Sequence, residues 1–277
     1  MDRAILIILF LFWLFSSCNL LSKVESHSLP APSDSSLTGS DFYQKIKFLD
    51  AETRELFIEN EIVKGNFPDF MRKFVPINTT ITTSNGKTIS ACYFVMPDYL
   101  MIGTNNDFFR IPMQPKTAQK IADSFGCFLS TSKICDDIYK AAIVKLEPLP
   151  LTQNRDSIST FYLHNQMIER QRKGRKGLIA GIKKDVILSS TISNDKRPNR
   201  VAIYGWHKLD GKPIQPVYTG HVDWYVDYSH GVRLIDRTIY VEGKPMDYID
   251  VLKDPDLRYI ISNEGNDLDF YVYPYEK

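Results

Sequence analysis

The chain has 277 residues, with 34 Lys and Arg against 33 Asp and Glu, a formal net charge of +1, 43% hydrophobic and 12% aromatic residues. That apolar share excludes a disordered or collagen-like chain, which lacks the surface to offset the conformational entropy of folding. The near-neutral charge excludes a general electrostatic hold on nucleic acid, so a basic patch has to be local. The length allows one large domain or two small ones.

Residues 4–15 are an unbroken apolar run behind the short charged start Met1-Asp2-Arg3. Twelve residues fall short of the roughly 20 that span a bilayer as a helix, so the run is the core of a signal peptide. Ser16-Ser17-Cys18 follows, two small residues and a cysteine where cleavage is expected. This resembles the lipobox of bacterial lipoproteins, with Phe15 where that family usually has Leu. The resemblance implies a signal peptide over 1–17, a lipidated Cys18, and attachment to the extracytoplasmic side of a cell-envelope membrane through that lipid. Residues 18–40 hold seven Ser together with Pro30 and Pro32 and almost no periodic apolar positions, the composition of a tether. The remaining residues, 41–277, are read as a single α+β domain.

Asp50 is placed as the N-cap of a helix over Ala51 to Lys64, with Leu56, Ile58, Ile62 and Val63 as its apolar stripe and Gly65 as its stop. Thr79–Thr83 and Lys87–Val95 flank Asn85-Gly86 and predict a hairpin. Short strands are expected at Tyr99–Ile102 and Phe108–Ile111, and helices at Pro115–Phe125 and Lys133–Ala142. Glu147-Pro148-Leu149-Pro150 is an extended connector, the place (147–156) at which two lobes would divide. A longer helix over Ser157–Arg172 carries Ile158, Phe161, Asn165 and Ile168 at helical spacing, with His164 as a packing residue. From Leu178 onward strands dominate: Leu178–Leu188, Val201–Trp206, Gly220–Tyr228, Val232–Ile235 and Thr238–Val241, with turns at Asp210-Gly211 and Glu242-Gly243. A short helix at Tyr248–Lys253 precedes an aromatic tail. Helices with a hairpin first, then a mainly antiparallel sheet, define an α+β class.

Apart from His27 in the tether, all histidines lie between residues 164 and 230. In Gly220–His230 an alternating strand would put His221, Asp223, Tyr225, Asp227 and Ser229 on one face, spaced about 7 Å apart. Asp223 would then orient His221, and Asp227 would act near His230. A carboxylate-oriented imidazole is a general base, and two His with an Asp are also a zinc set, although no compact motif such as His-Glu-x-x-His is present. The same alternation also describes the solvated face of an antiparallel sheet. His207 sits at the mouth of the Val201–Trp206 strand, as a site residue or a solvated loop histidine. Lys183 and Lys184 interrupt an apolar strand, one exposed and the other paired or facing an anion, or both defending a sheet edge. Arg170, Arg172, Lys173, Arg175 and Lys176 form a basic run, read as a solvated loop or as a hold on anionic envelope lipids or polymers. Cys92, Cys127 and Cys135 are either buried thiols or, for the latter two, a small-loop disulfide.

Ser229-His230-Gly231-Val232-Arg233-Leu234 resembles in part the Ser-His-Gly-Cys-aliphatic-Arg signature of the L,D-transpeptidases, but the catalytic cysteine is missing and the segment is one residue shorter, so no catalytic role is carried over. Ala180–Val186, Ile203-Tyr204-Gly205-Trp206-His207 and Asp227–Gly231 together resemble an uncharacterised family of exported bacterial proteins, which implies a single folded unit and no reaction. The function expected from these residues is an envelope-anchored hydrolase of cell-wall or other extracytoplasmic peptide or glycan bonds. His221 or His230 would be its base, Asp223 or Asp227 the orienter, and Lys184 or Arg233 the stabiliser of developing charge, with His207 nearby. Cys127, Ser229 or an activated water would be the nucleophile. The alternative is a non-catalytic lipoprotein that holds peptidoglycan, another envelope polymer or a partner protein on Trp206, Trp224, Tyr225 and Tyr228. No nucleic-acid partner is expected.

Overall fold

Thr38 and Asp50 cap the first two helices among the described residues. The computed structural model describes residues 29–32, 36–264 and 268–275. The signal run and Cys18 lie outside the described residues. Helix α1 (Gly39–Ile46) starts where the Thr38 hydroxyl accepts from the Asp41 N–H at 3.1 Å, and α2 (Ala51–Val63) where Asp50 accepts from the Thr53 N–H at 2.9 Å. Strands β1 (Val75–Thr82) and β2 (Thr88–Val95) pair in full register from Val75 opposite Val95 to Thr82 opposite Thr88, across a turn whose Gly86 takes φ +81°. Then come β3 (Met101–Gly103), β4 (Phe108–Arg110), α3 (Pro115–Ser124), β5 (Cys127–Leu129), α4 (Ser132–Ala141) and β6 (Val144–Lys145). Helix α5 (Ile158–Arg172) leads into β7 (Ile179–Ala180), β8 (Lys184–Ile187), the one-turn α6 (Ser190–Ser193), β9 (Ala202–His207) and β10 (Pro213–Tyr218). Strands β11 (His230–Gly231), β12 (Leu234–Asp236), β13 (Thr238–Val241) and β14 (Lys244–Asp247) and helix α7 (Tyr248–Lys253) follow.

The class is α+β. A six-stranded antiparallel sheet runs β14-β13-β2-β12-β5, with β1 on the far edge of β2. A four-stranded sheet runs β10-β9-β8-β11, antiparallel except for the β8–β11 pair. One continuous buried cluster reaches from Leu29 and Phe42 through Phe128 and Phe161 to Tyr273, so the core continues across the connector at 147–156. The Tyr228 hydroxyl pins that connector, accepting from the Leu151 N–H at 2.6 Å and donating to the Leu151 carbonyl at 3.0 Å. The folded body also begins before the expected tether ends: Leu29 is buried, the Pro30 carbonyl accepts from the Arg72 guanidinium at 2.9 Å, and α1 starts at Gly39. No helix among the described residues is long and apolar enough to cross a membrane.

Three expectations are corrected. Gly220–Tyr228 is not a strand but a chain of turns: the Asp223 N–H donates to Asn199, the Tyr225 N–H to Val222, and the Ser229 N–H to the Asp227 carboxylate. The Asp227 carboxylate thus offers the backbone a local partner that competes with a ladder, while Asn199 draws the Asp223 N–H away. Leu178–Leu188 is two strands, broken at Gly181 (φ +98°), where a Cβ would stand 2.2 Å from the Leu146 carbonyl oxygen. In α2, Leu56 and Val63 face outward while Glu55, Ile58 and Ile62 face the core. The unforeseen β10 carries Pro213 and Pro216, which a strand at the sheet edge tolerates.

Candidate functional site

The parallel pairing of β8 with β11 sets His230 opposite Lys184, and the turns before β11 fold His221 and Tyr225 back over it. The imidazole centres of His221 and His230 lie 5.4 Å apart, and the Tyr225 ring lies 4.6 Å from the first and 6.2 Å from the second. Asp227 is fully buried beside them. Its carboxylate accepts from the Ser229 N–H at 2.7 Å, the Ser229 hydroxyl at 2.5 Å and Arg155 at 2.7 Å. Burial alone would raise the Asp227 carboxyl, but His230, the Ser229 bonds and Arg155 outweigh it and hold it at about 2. Burial keeps both imidazoles neutral at pH 7, pushing His230 down to about 4 and His221 down as well. The Lys184 ammonium lies over the Trp206 ring, 5.1 Å from its centre, and burial lowers its pKa too.

This cluster gathers His221, His230, Asp227, Ser229 and Lys184 from the expected site and leaves the others elsewhere. Asp227 orients no imidazole through a hydrogen bond: its oxygens are taken by Ser229 and Arg155, and the Ser229 hydroxyl donates to it rather than to a base. Asp223 points to another surface and pairs with Lys116 at 3.0 Å. His207 is separated by the backbone of β9. Gly205 (φ +105°) and Trp206 (φ +57°) interrupt the alternation, so Trp206 turns to Lys184 while His207 joins Tyr204 on Asp136, each bonded at 2.9 Å, and stacks on Tyr139. Arg233 is buried and structural, donating to the carbonyls of Met96 at 2.7 Å and Ile179 at 2.6 Å. Cys92, Cys127 and Cys135 are buried thiols, and no disulfide joins the latter two. Burial, with Asp236 nearby, pushes the Cys127 thiol well up, which leaves it protonated and unsuited to nucleophilic attack. Lys183 and Lys184 are both buried, against the expectation that one would be exposed. The Lys183 ammonium donates to the Tyr228 carbonyl and meets His164 Nδ1 at 3.3 Å, and burial drives its pKa down to about 7. In the basic run, Arg172 pairs with Glu169 and Arg175 bonds back to the last carbonyls of α5, leaving Arg170, Lys173 and Lys176 to solvent.

A second feature was not foreseen. Helices α2 and α3, the 199–224 segment and the C-terminal tail enclose a groove of about 930 Å³. Trp224 is 58% exposed and Leu56 53% exposed on its walls, and Tyr275 lines it as well. At the start of α3 the Gln114 N–H donates to Glu55 at 3.1 Å and Lys116 holds Asp223, so the two carboxyl groups flank this helix end within the groove. Burial pushes the Glu55 carboxyl up to about 7, against the pull of its bonds from Thr117 and Gln114. The one trace of Glu55 in the sequence is its spacing from Ile58 and Ile62, which puts it on the inward face of α2.

Among the described residues, no three His, Cys, Asp or Glu side chains converge as a metal-ligand set, so the zinc set of two histidines and an aspartate is not assembled. Comparison with family models, curated proteins and solved structures finds no match. The roles of these residues therefore rest on their geometry.

Proposed function

We propose that this chain is an envelope-anchored lipoprotein that binds a glycan of the cell envelope in the groove between α2, α3 and the 199–224 segment. The observation that carries the reading is Trp224, a large indole left 58% exposed on the wall of a groove of about 930 Å³. Burial of aromatic surface is a main source of binding energy, and a sugar ring offers apolar C–H faces to an indole while its hydroxyls need polar partners at the edges. Glu52, Glu59, Lys120 and Arg200 line the same groove and supply such partners. The lipobox-like Ser16-Ser17-Cys18 supports the anchor. Binding fits the geometry better than the hydrolase expected from the histidines, because His207, Asp223 and Arg233 stand apart from His221 and His230, and Ser229 is held by Asp227.

The test is co-sedimentation of the purified full-length protein with peptidoglycan sacculi, alongside titration with soluble chitin oligosaccharides. Saturable binding by the wild type and about a tenfold or greater loss in Trp224→Ala are expected. Equal affinity of the two proteins, or no saturable binding to either glycan, overturns the reading.

A further inference from the structure

We propose that the His221–His230 cluster is a second binding site, one that takes a small oxyanion, the carboxylate or phosphate group of a ligand. Four nitrogens in this neighbourhood are buried without a hydrogen-bond partner: His221 Nδ1, His230 Nε2, Trp206 Nε1 and Arg155 Nε. His230 is 1% and Trp206 5% exposed, so bulk water does not satisfy them. The indole and guanidinium nitrogens are N–H donors, and each neutral imidazole can carry its hydrogen on the open nitrogen. A set of open donors calls for an acceptor.

The charge points the same way. The Lys184 ammonium lies against the Trp206 ring, and among the described residues no carboxylate stands within ion-pair distance of it. Asp227, the acid of the cluster, is already engaged: its Oδ1 accepts from the Ser229 N–H and hydroxyl and its Oδ2 from Arg155. Arg155 and Asp227 offset each other at 2.7 Å, so the Lys184 ammonium leaves the cluster one net positive charge, which repels a bound cation and, with the open N–H groups, attracts a bound anion. Charge-assisted N–H···O bonds are the strong ones, and their short range suits a compact group of two or three oxygens. Tyr218, His221 and Tyr225 form the partly exposed rim, with ring centres 5.4 and 4.6 Å from His221, which sets the way in. This site shares no residue with the groove and stands independently of the glycan reading.

The experiment titrates the full-length protein with inorganic phosphate, and separately with acetate, while the imidazole nitrogens are followed by NMR and unfolding by a thermal scan, with sodium chloride at matched ionic strength as reference. Saturable shifts of the His221 and His230 ring signals are expected with at least one oxyanion, together with a rise in Tm that grows with its concentration. Which of the two acts tells carboxylate from phosphate. Lys184→Met and His221→Asn are each expected to weaken that binding about tenfold or more, whereas Lys208→Met, the same loss of charge on the exposed surface, leaves it unchanged. Should Lys184→Met fail to fold, the half-exposed His221→Asn decides. Ring signals that respond to both oxyanions only as they do to chloride, up to the order of 100 mM, overturn the proposal. So does unaltered affinity in the folded variants, or an equal loss in Lys208→Met.

Discussion

His230 and Lys184 are direct partners in a parallel strand pair, the one parallel pairing within the four-stranded sheet. Gly231 follows His230 so closely against the neighbouring chain that a Cβ there would stand 2.6 Å from the Tyr99 ring and 2.7 Å from the Lys183 Cβ. The pairing thus puts an imidazole beside an ammonium that the sequence separates by the whole β9–β10 hairpin and its loop.

That close approach makes Gly231→Ala a probe of the cluster. The added methyl has to push β11 away from Lys183 and Tyr99, and overpacking of this kind destabilises by about 1–3 kcal/mol. Chemical denaturation should show that loss, and the His221 and His230 ring signals should move in the folded variant.

Glu55 gives a pH signature. Its folded pKa of about 7 lies above the ordinary 4.5, so the folded state holds the proton more tightly than the unfolded one. Its contribution is full below about 4.5 and is lost as the pH rises through 7. Glu55→Gln, which keeps an acceptor without the charge, is expected to gain stability relative to wild type by roughly 2–3 kcal/mol on going from pH 4.5 to pH 8. Urea midpoints across that range check it; parallel curves for the two proteins contradict it.

His164 has the opposite slope. Burial, with Lys183 and Arg110 near, lowers its pKa to about 2, so between that value and the ordinary 6.5 the unfolded state binds the extra proton. Its contribution is present above pH 6.5 and drains away as the pH falls. His164→Phe should lose less stability than wild type between pH 6.5 and 4, by an amount of order 2–3 kcal/mol, whatever its stability at neutral pH.

Arg110 and Asp98 form a buried ion pair, 2.6 Å apart with both side chains 1% exposed, and Arg110 also bonds Glu169 at 2.7 Å and Asn165 at 3.2 Å. Arg110→Met strands the Asp98 carboxylate and is expected to destabilise the domain by about 3–5 kcal/mol. Adding Asp98→Asn should recover part of that loss; no recovery would place the damage in packing instead of charge.

The anchor is tested at Cys18. Cys18→Ala is expected to move the protein from the membrane pellet to the soluble fraction on cell fractionation, because the proposed anchor places the lipid on this thiol. Retention in the pellet would rule out lipidation at this residue as what holds it there.

Much of the fold was legible locally. Asp50 before Ala51, Asn85-Gly86 between β-branched runs, Pro115 at the start of α3 and the Tyr248–Lys253 turn all carry their signal within a few residues, and the elements fall there. Part of the site was legible too, since the histidine-rich stretch does hold His221 and His230 together. Its arrangement was not. Alternation from His221 to Ser229 reads as a strand, but Asp227 turns the chain by bonding Ser229, and Asn199 draws the Asp223 backbone away.

The opening balance of 34 cations against 33 anions described an average, and the fold shows where that average is broken. By itself the sequence determined the caps and turns and the α+β order, because each depends on neighbours along the chain. Only tertiary structure decided that Lys183 and Lys184 are both buried, that Glu55 faces inward and Asp223 lines a groove, and that Gly205 and Trp206 split His207 from the other imidazoles. Those outcomes follow from contacts between segments far apart in sequence, where packing and desolvation outweigh local preference.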